Sequence, residues 1–190
     1  MAREVRSMAV IGAGTMGSGI ALTAATSGIK AMVVDVSPEQ LAKAKTYIAK
    51  TLSRNVEKQR TTQADADAAT GRISFHAAIK DAADADWAVE AVSENIDLKR
   101  KILRQMLETF RADVVLASNT SSISITDLAA SADAAAPRVI GMHFFNPVPI
   151  MKLVEVIRGL QTSDETVQRT IALSQAMGKT PVPANDRAGF

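Results

Sequence analysis

Short apolar runs recur along the chain, separated by segments whose apolar residues return every three or four positions. This is the pattern of buried strands alternating with amphipathic helices. Ser7 to Ile11 is an apolar run broken by Gly12, and the small-residue segment Gly17 to Ser27 suits a helix lying close on a sheet. Ala31 to Asp35 reads as a second buried strand. Ser37-Pro38-Glu39-Gln40 then offers an N-cap, a proline at the first helical position and a glutamine at N3, so a helix is predicted to about Gln59. Thr61 to Gly71, rich in Ala and Asp, is either a loop or a short helix, and Arg72 to Phe75 a brief strand. Trp87 to Val92 and Val114 to Ala117 read as strands around a helix at Asp97 to Phe110, whose apolar positions are Leu98, Ile102, Met106 and Phe110. A short helix is predicted at Ile125 to Ala130, strands at Val139 to His143 and Leu153 to Ile157, and a helix at Thr162 to Met177 that ends at Gly178. Thr180 to Pro183 is a last strand, confined to an edge by Pro181 and Pro183. The alternation predicts an α/β fold, a mainly parallel sheet with helices on both faces.

Composition mostly adds exclusions. The chain has 190 residues, 47% of them hydrophobic and 22% charged, and no apolar run reaches the roughly 18 residues that span a bilayer. A single globular domain over residues 1–190 is expected, with no membrane partner. Lys and Arg number 22 against 20 Asp and Glu, interleaved rather than blocked, and the aromatics are one Trp, one Tyr and five Phe. Neither feature suits nucleic acid. The absence of Cys removes disulfides, thiolate catalysis and zinc–thiolate sites and fits a reducing compartment. Met1 to Arg6 carries no signal-peptide pattern, so a cytoplasmic location is expected. Asp65, Asp67, Asp81, Asp84 and Asp86 lack the spacing of a calcium loop, and no metal site is expected. Trp87 and the methionines read as core, His76 as surface.

Two constellations carry chemistry. Gly12-Ala13-Gly14-Thr15-Met16-Gly17 lies between a predicted strand and a helix, and Asp35 closes the next strand. In that context the glycines form a Rossmann-type dinucleotide fingerprint. Gly12 permits the turn, Gly14 lets backbone amides approach a pyrophosphate, Gly17 lets helix and strand pack closely, and the helix N-terminus faces the negative charge. Asp35 would accept bonds from the ribose hydroxyls and repel a 2′-phosphate, which favours NAD over NADP. Gly12, Gly14, Thr15, Met16, Gly17 and Asp35 are therefore candidate cofactor residues. The second constellation is Ser118 to Ser122, Gly141 to Pro149 and Lys152 to Glu155, polar groups that follow or flank predicted strands. His143 is a candidate general base toward an alcohol, with Glu155 to orient and stabilise the ring. The alternative is a core histidine bonded to a structural glutamate.

These residues resemble the N-terminal domain of the 3-hydroxyacyl-CoA dehydrogenase family, which includes 3-hydroxybutyryl-CoA dehydrogenases. The resemblance rests on Val10 to Gly17, Glu90 to Asn95, Ser118 to Ser122, His143 to Pro149 and Lys152 to Val156, in that order. It implies NAD-dependent interconversion of an (S)-3-hydroxyacyl-CoA and a 3-oxoacyl-CoA in fatty acid metabolism. His143 would be the base, Glu155 its partner, and Ser121 would help hold the substrate oxygen and the nicotinamide. Glu94, Lys99 and Asn146 match positions that contact NAD. On the predicted helix after Asp35, Thr51 and Lys58 match positions that contact coenzyme A, with Arg54 and Lys50 as further phosphate contacts; Asn119 is counted with the substrate residues. In the family a helical dimerisation domain follows the equivalent of Ala188-Gly189-Phe190, and no residue here matches the asparagine that the family places shortly after it. That domain is read as absent from this chain, so a homodimer is expected only where it is present. The alternative function is an NAD-binding module without independent catalysis. A 3-hydroxyisobutyrate-type dehydrogenase is disfavoured because no glycine-rich helix here supplies its catalytic lysine.

Overall fold

The computed structural model describes residues 4–187. An eight-stranded sheet runs in the order β3-β2-β1-β4-β5-β6-β7-β8. Its strands are β1 (Ser7–Ile11), β2 (Lys30–Val34), β3 (Ile73–His76), β4 (Trp87–Glu90), β5 (Val115–Ser118), β6 (Val139–Phe144), β7 (Leu153–Arg158) and β8 (Thr180–Asn185). The helices are α1 (Thr15–Thr26), α2 (Pro38–Glu57), α3 (Gln63–Gly71), α4 (Ile96–Thr109), α5 (Ile125–Ala129) and α6 (Asp164–Ala176), with 3₁₀ segments at Ile79–Ala82 and Ala130–Arg138. The α/β class with a mainly parallel sheet is as expected. The Thr61 to Gly71 alternative resolves as helix α3, started by Thr62, whose hydroxyl accepts from the Asp65 N–H.

Successive residues of β1 serve opposite faces. Met8 and Val10 pack with Ile20, Ala21 and Ala24 of α1, while Ala9 and Ile11 pack with Leu103 and Met106 of α4. Trp87 is fully buried, as core filling requires. No helix among the described residues is long and apolar enough to cross a membrane.

Two departures from simple parallel winding matter for the site. β7 pairs antiparallel with β6, so the chain returns beside His143 instead of crossing over. β8 pairs parallel with β7 as the predicted edge strand. The Thr180 N–H donates inward to Lys152 O, so with a period of two the nitrogens of Pro181 and Pro183 face the free edge, where a missing donor costs no ladder bond.

Candidate active site

β1, β4, β5 and β6 are mutually parallel. Their carboxyl ends bring the Gly12 turn, Glu94, Asn119 to Ser122 and His143 to one edge of the sheet, the usual ligand edge of an open α/β fold.

The glycine turn is built by close backbone approach. Gly12 has φ +106, and a Cβ there would meet Ala91 O at 2.7 Å. At Gly17 a Cβ would lie 1.8 Å from Gly12 O. Gly14 differs: its φ of -69 suits any residue, and a Cβ would meet nothing within 4 Å. The fold itself thus makes no demand for glycine at this N-cap of α1, whereas a pyrophosphate drawn against the helix N-terminus does. Thr15 opens α1 and is exposed, and Met16 packs partly against the core.

Asp35 ties the glycine turn to the start of α2. Its Oδ2 accepts from the Ala13 N–H and its Oδ1 from the Ser37 N–H, each at 2.9 Å. A carboxylate offers about four lone-pair sites, so both oxygens retain capacity for a ribose diol. Gly12, Gly14 and Asp35 line a cavity of about 610 Å³ whose apolar walls include Val36, Ile79 and Val92. Such walls suit a flat heteroaromatic ring, and these residues fit a dinucleotide.

Beyond β4 a second network forms. Glu90 is buried and accepts from Lys99 Nζ at 2.8 and 2.9 Å, from the Val92 N–H at 3.1 Å and from the Ser118 hydroxyl. Lys99 also pairs with Glu94 Oε2 at 3.5 Å. Glu94 Oε1 accepts from the Thr120 hydroxyl at 2.6 Å, from the Ser121 and Ser122 N–H groups at 2.9 and 3.0 Å, and from both serine hydroxyls. Burial works to raise the Glu94 pKa, but the bonds from Thr120, Ser121 and Ser122 and the Lys99 charge outweigh it and hold the carboxyl at about 2.

Lys99, which the family resemblance sets against the cofactor, is buried, and its ammonium meets Glu90, Glu94 and Val92 O beside the ligand edge. Asn119 Oδ1 accepts from the Phe144 N–H at 2.8 Å and ties β5 to the end of β6. Asn146 lies exposed in the turn after β6.

The antiparallel register sets His143 directly opposite Glu155, with His143 Nδ1 and Glu155 Oε2 2.8 Å apart. Both side chains are mostly buried, at 16% and 21% exposure, and the Phe145 ring lies 4.5 Å from the imidazole. With Glu155 ionised, Nδ1 carries the hydrogen and Nε2 becomes the basic nitrogen of the neutral ring.

The α2 candidates stand apart. α2 packs through Ile48 and Leu52 on Leu22 and Ala25, and Thr51, Arg54 and Lys58 follow at spacings of three and four along one flank. The Thr51 hydroxyl donates to Tyr47 O at 2.8 Å. Lys50, Arg54 and Lys58 are exposed, and among the described residues no hydrogen bond links this flank to the sheet edge.

Sequence reasoning missed three residues. Glu90 is signalled only as the first residue of the Glu90 to Asn95 motif, with no role attached to it. Lys179, its pKa lowered by burial, donates to Val148 O and Met151 O and staples the turn after His143 to β8. Asp186 accepts from the Ile125 and Thr126 N–H groups and the Ser124 hydroxyl, anchoring the end of β8 to the segment behind the serines.

A family model described as the NAD binding domain of 3-hydroxyacyl-CoA dehydrogenase matches residues 7–187. Among curated proteins, the chain is 44% identical over 187 residues to "Probable 3-hydroxybutyryl-CoA dehydrogenase" of Bacillus subtilis, covering 98% of this chain and 65% of that protein. It is 42% identical over 189 residues to the fatty acid oxidation complex subunit alpha of Psychrobacter arcticus, covering 100% of this chain and 26% of that protein. Among solved structures, (S)-3-hydroxybutyryl-CoA dehydrogenase from Ralstonia eutropha is similar with a TM-score of 0.95 at 46% identity, covering 98% of this chain and 66% of that one. The chain thus spans less than two thirds of the length of each of these proteins.

Proposed function

Because the chain belongs to the family of 3-hydroxyacyl-CoA dehydrogenase NAD-binding domains, we propose that it carries the cofactor site and the catalytic base of an enzyme interconverting (S)-3-hydroxyacyl-CoA and 3-oxoacyl-CoA. The observation that supports this most strongly is the His143–Glu155 pair, 2.8 Å apart on the same sheet edge as the glycine turn. Bound NAD would supply the two-electron redox chemistry. Gly12, Gly14 and the amide-rich start of α1 hold its pyrophosphate and Asp35 its adenosine ribose, and Glu94 and Asn146 lie on the edge where its other half would run. His143 takes the proton of the substrate 3-hydroxyl at Nε2 and returns it in the reverse direction. Glu155 keeps Nδ1 protonated, aims the ring and offsets the positive charge that it acquires.

Ser121 presents an exposed hydroxyl whose oxygen can accept while its hydrogen turns from Glu94 to the substrate oxygen. Asn119 shapes the same floor. Thr51, Arg54 and Lys58 form the flank that meets coenzyme A.

The test is oxidation of NADH by the 190-residue chain with acetoacetyl-CoA as acceptor, beside an NADPH control. Turnover with NADH that His143→Gln abolishes, with NADH affinity retained, is the expected result. Turnover that survives His143→Gln removes the base assignment, and equal use of NADPH removes the role of Asp35. The second reading is NAD binding without independent turnover by residues 1–190. It predicts tight NADH binding, no oxidation on adding acetoacetyl-CoA, and no response of the bound cofactor to the thioester.

A further inference from the structure

A cavity of about 520 Å³ lies at the opposite end of β1 and β2 from the glycine turn, between the residues that lead into these two strands, the end of α3 and one flank of α6. Four cations line it: Arg6 before β1, Lys30 at the start of β2, Arg72 after α3 and Arg169 on α6. The one carboxylate in the lining, that of Glu4, is 3.2 Å from Arg6 Nε and is spent on it. Among the described residues Lys30, Arg72 and Arg169 form no ion pair. Like charges around one concavity repel each other and concentrate counter-ions there.

The fold uses the two inner guanidiniums only in part. Arg72 Nη1 donates to Ala25 O at 3.3 Å, near the carbonyl end of α1. Arg169 Nη1 donates to Asp113 O at 2.8 Å, its guanidinium carbon stands 6.0 Å from the centre of the Trp87 ring, and among the described residues its buried Nε meets no acceptor. Buried donors are nearly always paired, so an unspent Nε on a residue of a cationic cavity points to an acceptor from outside the chain. Each guanidinium has five N–H donors in a planar fork that matches an oxyanion.

The rest of the wall is aliphatic. Arg169, Ala172, Leu173 and Ala176 recur at spacings of three and four and so share one flank of α6, and Val5 and Ile29 line the cavity with them. The small side chains of Ala172 and Ala176 are exposed, which leaves the wall open. Among the described residues no aromatic ring lines this cavity, so a nucleotide base has nothing to stack on, whereas a hydrocarbon chain gains by burial.

We propose that this cavity is a binding site for an aliphatic carboxylate of medium chain length, its head held by Lys30, Arg72 and Arg169 and its chain laid along Ala172, Leu173 and Ala176. The volume falls within the roughly 300–1,000 Å³ of small-molecule sites. The site stands apart from the proposed active site, because it shares no lining residue with the cavity beside Asp35.

Octanoate is the probe, titrated into the 190-residue chain by calorimetry and by the emission of Trp87, the one tryptophan in the chain, over which Arg169 stands. Saturable binding at one site is expected, with Trp87 emission changing over the same concentrations. Lys30→Gln/Arg72→Gln should weaken it by about tenfold or more, the scale of lost charge-assisted bonds. Ala172→Leu keeps every cation and fills the cavity, and it should weaken octanoate by about tenfold as well. Inorganic phosphate and octanol separate head from chain, and each should bind at least about tenfold more weakly than octanoate. Circular dichroism checks folding; if the double variant does not fold, Lys30→Gln alone, at an exposed position, should cost about threefold. The proposal is overturned by absence of saturable binding, by octanoate binding that the folded variants do not weaken, or by binding that leaves Trp87 emission unmoved. Phosphate bound as tightly as octanoate overturns the aliphatic occupant, and octanol bound as tightly overturns the role of the cations.

Discussion

The two ends of the sheet edge are built on opposite principles. At β1 and α1 the cofactor half depends on atoms that are missing: a Cβ at Gly17 would lie 1.8 Å from Gly12 O, and one at Gly12 would lie 2.7 Å from Ala91 O. At β6 and β7 the proton-handling half depends on atoms that are present, the imidazole and carboxylate that register sets opposite each other. Adding a methyl group damages the first and removing a charge damages the second. The glycine turn is also part of the fold, since α1 rests on it, so function and stability are coupled there. The His143–Glu155 pair is partly solvated and sits on strands held by their own ladders, so its chemistry is separable from folding.

The largest effect should come from breaking the coupled side. Gly17→Ala pushes a methyl group into a backbone carbonyl that no rotamer change can move, and a loss of at least about 4 kcal/mol, enough to leave much of the chain unfolded, is expected. Urea unfolding measures it, and a variant as stable as the parent would mean that α1 slides freely on the turn. Next comes the separable side. Glu155→Gln keeps a hydrogen-bond acceptor but removes the charge, and turnover should fall on the order of 10² to 10⁴-fold with the unfolding midpoint almost unmoved. The assay is acetoacetyl-CoA reduction in whichever form of the protein turns over, and full activity would reduce Glu155 to a packing residue.

Gly14→Ala sharpens the contrast because it lies on the cofactor side yet touches nothing in the protein. Stability should change by about 1 kcal/mol or less, the scale of an N-cap change from Gly, while NADH affinity falls by about tenfold or more as the methyl group meets the pyrophosphate. Calorimetric titration beside thermal unfolding separates the two. A Gly14→Ala chain that binds NADH like the parent would remove the pyrophosphate from that cradle.

The same contrast governs what could be read from sequence. The glycine turn, the strand before it and Asp35 are neighbours along the chain, so local pattern carried them, and the alternation of elements carried the parallel sheet. His143 and Glu155 were legible as types on apolar strands, but their direct opposition needs the antiparallel return of β7, which no local period encodes. Glu90, Lys99 and Glu94 meet through a strand-to-helix turn, and the burial of Lys99 against the two carboxylates is not encoded in the local pattern. Asp186 meets Ser124 across 62 positions of chain, a contact fixed only by where β8 ends. What was missed is what tertiary contact decides.

An acid titration tests the carboxylates that long-range contact created. Burial alone would raise Glu94 and Asp186, but hydroxyl and backbone N–H donors outweigh it and both pKa values are lowered, that of Glu94 from 4.5 to about 2. A folded-state pKa below the unfolded one means that the unfolded chain takes up protons first. The stability that Glu94 contributes is therefore complete above about pH 4.5 and drains away as pH falls toward 2, and that from Asp186 is likewise lost on acidification. Glu94→Gln should flatten the pH dependence of unfolding in that window, its deficit against the parent being full at neutral pH and shrinking as the pH drops toward 2. A slope as steep as that of the parent would show that Glu94 is not held as the geometry describes.

The smallest effect belongs to the Thr51 to Lys58 flank of α2, which no hydrogen bond among the described residues links to either half of the site. Lys58 is an exposed cation on a helix flank, so its pull on a phosphate acts through water and ions. Lys58→Ala should raise the KM for acetoacetyl-CoA by about two- to fivefold at low salt, leave the KM for NADH alone, and lose most of its effect near 0.5 M salt, roughly where screening shortens to a few ångströms. Adding Arg54→Ala should deepen the loss, because two charges one helical turn apart face the same ligand. A KM that ignores both charges at low salt would detach α2 from the substrate and leave the sheet edge as the whole of the site that this chain provides.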